Sequence, residues 1–564
     1  YTIINPYTFL VADYLAKSAG LSFSPSRIYY IPSHIRKDTV ADGSDIQDRL
    51  VNLINVPDIN LRSNLYTTED FLDSLQVSKN YMADQNLYIR ERIFDMWTGD
   101  WNKTNENWEW QSHTVNDSVI YTPIVIDRNH AFTKVDGVLF KQMLKMLSLD
   151  FICNYDSLIL KDTKKINKLA FALDMAVAGR SDESVWIRQA QEIRRQMTDS
   201  LIDSAFTYLP EGVKHDEIEL IKRKLKRRRL ELEAVASQYY RLLQRTPVVA
   251  GTNQSDYFLI ERQAPDRTVL RIYDPETGDC RLEQQFSGKE TKELWLYGLA
   301  GNDTFEVKGN TRKDFPIYLI SGEGENQYQL NHNRKIHVYD KDYKYDYQKI
   351  KYHKISFTPW GIYDSDKGIS LGTFFTYTMY GFKRAPFTYQ HRIGYNYLKG
   401  FMYAGIFPNY DGRRRLYLNA SISSPRNFEN FFGFGNNTAG YKEEKKNYNR
   451  VKLRTYMFNP SFEMDLRKEE VMTFFGSLDM YKAKRTDDRY IYTVYGEDHP
   501  IFRTNYFVGL GATYRITKQP YSWLPLLETE WTAGWKMNLK KPERNFPYAQ
   551  GSLSWNVRFS DRKS

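Results

Sequence analysis

Cysteine is nearly absent. Cys153 and Cys280 are the only two in 564 residues, and their separation argues against a disulfide-stapled scaffold. No Cys/His spacing reads as a zinc site. No run approaches the ~18 consecutive apolar residues of a membrane-spanning helix, and mean hydropathy is −0.62. Helical spans are therefore excluded. Barrel strands are not, because they are apolar only at alternate positions. No secretory leader is visible, but the chain opens at Tyr1 without an initiator Met, which leaves room for a leader removed upstream.

Aromatics, by contrast, are abundant, and they are unevenly spread. Residues 352–564 contain 21 Tyr, 19 Phe and 5 Trp, about one residue in five, against about one in eight in 1–351. Two different folds, or two different solvents, are implied. The net charge is +10. The densest basic cluster is Lys222, Arg223, Lys224, Lys226, Arg227, Arg228 and Arg229. It lies in a helical stretch, 215–245, with an apolar stripe of Ile218, Ile221, Leu225, Leu232 and Val235. A solvated helix face packed on its own domain is favoured over a nucleic-acid patch, and no nucleic-acid partner is expected.

Residues 1–245 read as a mainly helical α+β domain, with helical patterns ending at Gly20 and Gly99 and others at 166–177 and 183–208. Near residue 247 the period changes to two, and a small β domain of short strands is expected over 246–350. Within it, Gly298-Leu-Ala-Gly-Asn-Asp-Thr-Phe and Gly322-Glu-Gly-Glu-Asn-Gln-Tyr are similar to the turns of calcium-binding β-helix repeats. Asn302 and Asp303 are the weak calcium candidates, with plain β-turns the favoured alternative. No other cofactor is expected.

From about 351 to the end, alternation is sustained. Phe375 and Tyr377 oppose Thr376 and Thr378; Leu478 and Met480 oppose Ser477 and Asp479; Leu510 and Ala512 oppose Gly511 and Thr513. Val451, Leu453 and Met457 are expected on an outer face, with Lys452, Arg454, Glu528, Glu530 and Arg558 lining a wet interior. Nine or ten long strands with aromatics near their ends predict an antiparallel transmembrane β-barrel. No closing strand ends in a terminal aromatic, so the barrel is expected to be either incomplete or divergent.

The sharpest local cluster is Arg92-Ile-Phe-Asp-Met-Trp-Thr-Gly-Asp-Trp-Asn-Lys-Thr-Asn-Glu-Asn-Trp-Glu-Trp110, followed by Tyr121-Thr-Pro-Ile-Val-Ile-Asp-Arg-Asn-His-Ala-Phe132. With Ile4-Asn-Pro-Tyr, Tyr29-Tyr-Ile-Pro, Val248-Val-Ala-Gly-Thr and Glu293-Leu-Trp-Leu-Tyr-Gly-Leu-Ala-Gly-Asn-Asp-Thr-Phe, it resembles a family of large outer-membrane proteins of Bacteroidota-type envelopes. That family is often described as metallophosphoesterases and ends in a surface-antigen barrel like that of the BamA/TamA assembly factors. Gly381-Phe-Lys-Arg-Ala-Pro-Phe and Asn430-Phe-Phe-Gly-Phe-Gly-Asn match by pattern only.

The family's middle segment, G-D-W-D-R-H-E-D-Q-W and later I-P-R-D-R-D-Q-A-F, is in turn similar to the catalytic and metal loops of HipA and spore-coat kinases. The resemblance places Asn102, Lys103 and Thr104 at the D-R-H positions, Asn107 at the amide position and Asp127 at the later metal aspartate. Asn102 is an amide and cannot accept a proton, so a kinase-like scaffold without catalysis is implied, with no catalytic residue expected. The alternative is that Trp97, Trp101, Trp108 and Trp110 are simply core. The phosphoesterase motifs D-x-H, G-D-x-x-D and G-N-H-D/E are absent, and neither the periplasmic repeats nor the lid-loop motif of the BamA kind is evident.

Two functions follow as expectations. The first is a non-catalytic outer-membrane protein of envelope biogenesis, with periplasmic N-terminal domains, membrane lipid and other envelope proteins as partners. The second is a membrane-anchored phosphoesterase whose catalytic domain precedes residue 1. A channel is a weaker third, without a selectivity signature.

Overall fold

A computed structural model of the chain describes residues 6–23, 25–33, 48–54, 64–147, 149–213, 215–263, 265–310, 314–331, 334–339, 345–365, 367–381, 386–409, 412–433, 447–518 and 526–556. Ile4, Asn5, most of 381–387, the end of 430–436 and Arg558 lie outside the described residues. The protein is multidomain, with two compact units, 1–351 and 352–564.

The first unit is α/β, and segments 1–245 and 246–350 both belong to it. Its central helix, Gln85–Thr98, buries Tyr88, Ile89, Ile93, Phe94 and Trp97. Asp84 caps the start by accepting the Leu87 N–H at 3.0 Å. Gly99 ends the helix in the left-handed region, φ 77°. A four-stranded sheet, in the order Leu65–Tyr66, Trp108–Val115, Ser118–Val125, Tyr81–Ala83, packs nearby. Trp110 stacks on Phe71 at 3.7 Å, and all four tryptophans of the 97–110 cluster are buried.

The expected long helices are broken. The 183–208 pattern is Glu183–Gln196 followed by Asp199–Ala205, because Thr198 starts a new helix by accepting the Leu201 N–H. The basic stretch forms His215–Arg229, and its cations are used internally. Lys222, Lys226 and Arg229 pair with Glu219, Asp203 and Asp199. Lys224 donates to the Tyr155 carbonyl, and Arg228 donates to the Trp97 and Asp156 carbonyls. Only Arg223 and Arg227 point fully outward.

Beyond residue 247 the chain winds as a coil of short parallel strands. Val248–Ala250, Leu294–Tyr297, Ile317–Ile320 and Ile336–Tyr339 stack in one sheet. Tyr257–Gln263, Thr304–Gly309 and Gln327–Leu330 stack in a second. Phe258, Ile260, Phe305, Val307, Leu296 and Leu319 fill the space between. The Gly298 and Gly322 segments therefore have a third relative, Gly251-Thr-Asn-Gln-Ser-Asp256, one rung earlier. Gly298 is obligatory on steric grounds, since a Cβ there would lie 2.0 Å from Asp303 Oδ2 and 2.6 Å from the Ser321 carbonyl.

The second unit holds an 11-stranded antiparallel sheet. Ten strands follow one another as neighbours from Lys354–Asp364 to Phe546–Asn556, and the short Phe428–Asn430 pairs beside Arg450–Arg467. No pairing joins the first strand to the last among the described residues, so an open sheet is what stands where a closed barrel was expected. Connections are unequal. Residues 468–469 make a two-residue turn at one end, whereas 424–449 and 484–504 are long connections at the other.

Burial in this sheet is inverted relative to a water-soluble protein. Cross-strand partners share a face, and one row runs Phe357, Phe375, Ile393, Tyr403, Ala420, Phe458, Leu478, Val508, Met537. Its neighbours on that face include Leu371, Leu510 and Trp531, which are 66%, 64% and 63% exposed. The opposite face is polar and better covered. A row there runs Arg415, Glu463, Thr473, Thr513, Thr532, Gln550. Arg415 pairs with Glu463 at 2.9 Å, Thr513 meets Thr532 at 2.8 Å, and Lys536 reaches the buried Asp479 at 2.6 Å.

Lys452 and Arg454 depart from expectation. They share the outward face with Tyr456 and Phe458, while Val451 and Leu453 turn to the polar side. The reason is local: the Tyr490–Tyr495 helix and the Pro500–Phe502 turn supply Ile491 and Phe502, which close an apolar cluster over Val451. Gly298→Ala should cost about 2–3 kcal/mol, read as a lowered melting temperature, while Gly278→Ala, with nothing within 4 Å of its Cβ position but a positive φ, should cost about 1 kcal/mol.

Candidate functional site

The loop 99–107 and the segment 127–133 meet at the C-terminal half of the Gln85–Thr98 helix. That helix places Glu91, Arg92 and Asp95 in the interior, where a charge survives only if partnered. Asp95 is the hub. Its Oδ2 accepts from Arg92 Nη1 at 2.8 Å, and its Oδ1 faces Lys103 Nζ at 3.7 Å and Arg128 Nε at 3.8 Å. Arg92 Nε donates to Asp174 Oδ1 at 2.8 Å and Nη2 to Asn167 at 2.7 Å. Tyr88 and Tyr239 hydroxyls also donate to Asp174. Lys103 pairs with Asp100, and Arg128 with Glu91.

All seven charged groups are buried: carboxylates at 91, 95, 100 and 174, cations at 92, 103 and 128. The one-charge imbalance is met by proton affinity. Burial pushes the Glu91 carboxyl up to about 8 against the pull of Arg128. Burial likewise raises Asp100, against the pull of Lys103. For Arg92, burial opposes ionisation, but Asp174 and Asp95 outweigh it and the guanidinium is held well above its usual range.

The residues singled out in the sequence sit around this network. Asn102 is half-buried on the loop. Asn107 is turned inward: its Oδ1 accepts from the Thr104 N–H at 2.8 Å and the Thr104 hydroxyl at 2.9 Å, closing the Asn105–Asn107 turn. Asp127 is half-buried; its Oδ1 accepts the Asn129 N–H at 3.3 Å and its carbonyl accepts from Lys103 Nζ at 3.1 Å. The fold thus joins Lys103 and Asp127, while the Asn107 side chain is spent on its own turn. Glu91, Arg92, Asp95, Arg128 and Asp174 were not singled out, although four charged residues, Arg90, Glu91, Arg92 and Asp95, among Ile89, Ile93, Phe94 and Trp97 of one helix are a legible signal.

Asn302 and Asp303 are likewise used by the coil. Asn302 Oδ1 accepts the Glu325 N–H at 2.9 Å, and Asp303 Oδ1 accepts the Asp256 N–H at 2.9 Å. Asn326, one rung on, accepts the Asp303 N–H at 2.9 Å. Asp303 Oδ2 is buried without a hydrogen-bond partner, and burial pushes this carboxyl up to about 7. Among the described residues no group of three or more His, Cys, Asp or Glu side chains is placed to hold a metal ion. These positions read as a ladder of turn caps.

No family model matches the chain, and no curated protein matches it. Among solved structures, a crystal structure of a Helicobacter pylori proinflammatory kinase, CtkA, is similar at 15% identity, covering 42% of this chain and 86% of that one with a TM-score of 0.26. A likeness that low carries no argument about this chain's fold or activity.

Lys103→Met should destabilise the first unit by about 3–5 kcal/mol by stranding Asp100 and Asp95, and adding Asp100→Leu should restore much of the loss; chemical denaturation reads both. Asp303 should make stability fall as pH rises from about 4 to about 7, since the folded state holds that proton more tightly than the unfolded chain. Asp303→Asn should flatten that slope and raise the melting temperature at pH 8.

Proposed function

We propose that this chain is an integral outer-membrane protein. In this reading the second unit is a lipid-facing β-barrel and the first unit is a periplasmic, kinase-like domain without phosphoryl-transfer activity, serving envelope assembly with other envelope proteins. The observation that carries the membrane half is the inverted burial of the long sheet. Each large apolar side chain left in water forgoes about 1.5–3 kcal/mol of burial, and rows of them span consecutive strands. Hydrocarbon removes that cost, and the paired charges of the opposite face suit a wet interior. Two unpaired sheet edges are a hazard in water and in lipid alike, which favours closure. The two longest connections, 424–449 and 484–504, lie at the same end of the strands, as the long loops of such barrels do.

The non-catalytic half rests on the loop chemistry. Asn102 has no proton-accepting carboxylate, and Lys103 and Asn107 are held by intramolecular partners. Purified protein in detergent should migrate differently on gels before and after boiling; identical migration, together with a helix-dominated circular dichroism spectrum, would sink the barrel. Neither the unmodified protein nor Asn102→Asp should turn over ATP, and ATP hydrolysis by the unmodified protein would overturn the inactive reading.

A further inference from the structure

The helix Val138–Met146 is anomalous in the first unit. Of its nine residues only Leu144 is buried. Val138 and Leu139 are 78% and 88% exposed, and Met143, Met146 and the following Leu147 are exposed as well. At 100° per residue, Leu139, Met143, Met146 and Leu147 form one stripe roughly 100° wide. Phe140 and Leu144 border it on the protein side and Gln142 on the other, while Lys141 and Lys145 lie on the opposite face of the helix. Single exposed apolar residues are ordinary on a protein surface, whereas a contiguous stripe marks a contact.

The charge around the stripe selects the contact. Lys141 and Lys145 are exposed, and no carboxylate pairs with either among the described residues. They line a cavity of about 400 Å³ together with Asp150, Asp156 and Asp162. The cavity's other lysines are already paired, Lys161 with Asp156 at 2.6 Å and Lys165 with Asp162 at 2.8 Å. Residues 134–168 carry seven lysines against four aspartates. An apolar stripe on one face with unpaired lysines on the polar face opposite, and no acid on the helix itself, is the composition of a helix that lies in the plane of an anionic membrane surface.

We infer that Val138–Met146 is an interfacial anchor, which seats its Leu139–Leu147 stripe at the acyl boundary and places Lys141 and Lys145 against anionic lipid headgroups. This goes beyond the barrel, because it assigns the first unit its own lipid contact. A protein partner would use the same stripe without needing anionic lipid, and that difference is what the test reads.

The experiment uses the full chain with Cys280→Ser and a polarity-sensitive fluorophore on Leu139→Cys, with Val338→Cys as the control site. Vesicles of phosphatidylcholine alone are compared with equal parts phosphatidylcholine and phosphatidylglycerol. The expected result is a blue shift at 139 with anionic vesicles only, none at 338, and loss of the shift in Lys141→Glu/Lys145→Glu. Two charge reversals should weaken the contact by about tenfold or more. Equal emission from the two sites on anionic vesicles would overturn the anchor, as would a blue shift that depends on protein concentration without lipid. The barrel is read separately, by protease protection of the second unit after reconstitution. Protection without a shift at 139 removes the anchor alone, whereas a salt-sensitive shift at 139 without protection removes the barrel alone.

Discussion

The pleat of the long sheet constrains almost everything in the second unit. Successive side chains point to opposite faces, so a run of strands in fixed register must sort its residues into two populations. Here the sorting places paired charges and hydroxyls on one face and large apolar groups on the other. Small residues are placed to make that sorting work. Gly509 lies between Ser477 and Lys536 in the cross-strand row, and a Cβ there would sit 3.2 Å from the lysine stem. Its absence lets Lys536 cross the intervening strand to Asp479. The polar face is therefore ordered by ion pairs that span strands, which a solvated surface would not require.

The first unit solves the opposite problem. Its core is conventional and apolar, yet it contains Asp95 and six further charged groups around it. Replacing such a network by apolar residues is often neutral or stabilising, so stability alone is a poor account of it. Its geometry suggests specification: Lys103 ties the loop to the helix and to the Asp127 carbonyl at once, and Arg92 ties the helix to Asp174 and Asn167. Groups that cannot be left unpaired fix where three separate segments meet.

Much of this was legible in the chain, and the failures have physical causes. The alternation after residue 351 marked the strands because a period of two survives any tertiary context. It misassigned Val451 and Leu453, because the residues that cover them, Ile491 and Phe502, come from a connection with no period to read. The Gly298 and Gly322 turns were visible, but the rung at Gly251 was not: its Gly-to-Asp spacing is the same, while the residues between differ. Asn107 stood out as an amide at a functional position, yet a side chain three residues from an Oγ and an N–H closes a local turn as readily as it meets a ligand. Backbone sequence spacing cannot separate those two uses.

The loop 99–107 illustrates how a chemically suggestive pattern can be retained for structure. An aspartate, a lysine and three asparagines within nine residues are the materials of phosphate and metal chemistry. Three of them are consumed at short range: Lys103 by Asp100, Asn107 by Thr104, and Asp100 by a burial that favours its protonated form. Freeing these groups would require more than placing one carboxylate at position 102. Lys103 would have to leave a site where both its partners are buried, and desolvated carboxylates would be stranded behind it. The energetic depth of the network is what holds this loop in its present arrangement, and on the proposed reading it weighs against phosphoryl transfer more than the amide at position 102 does.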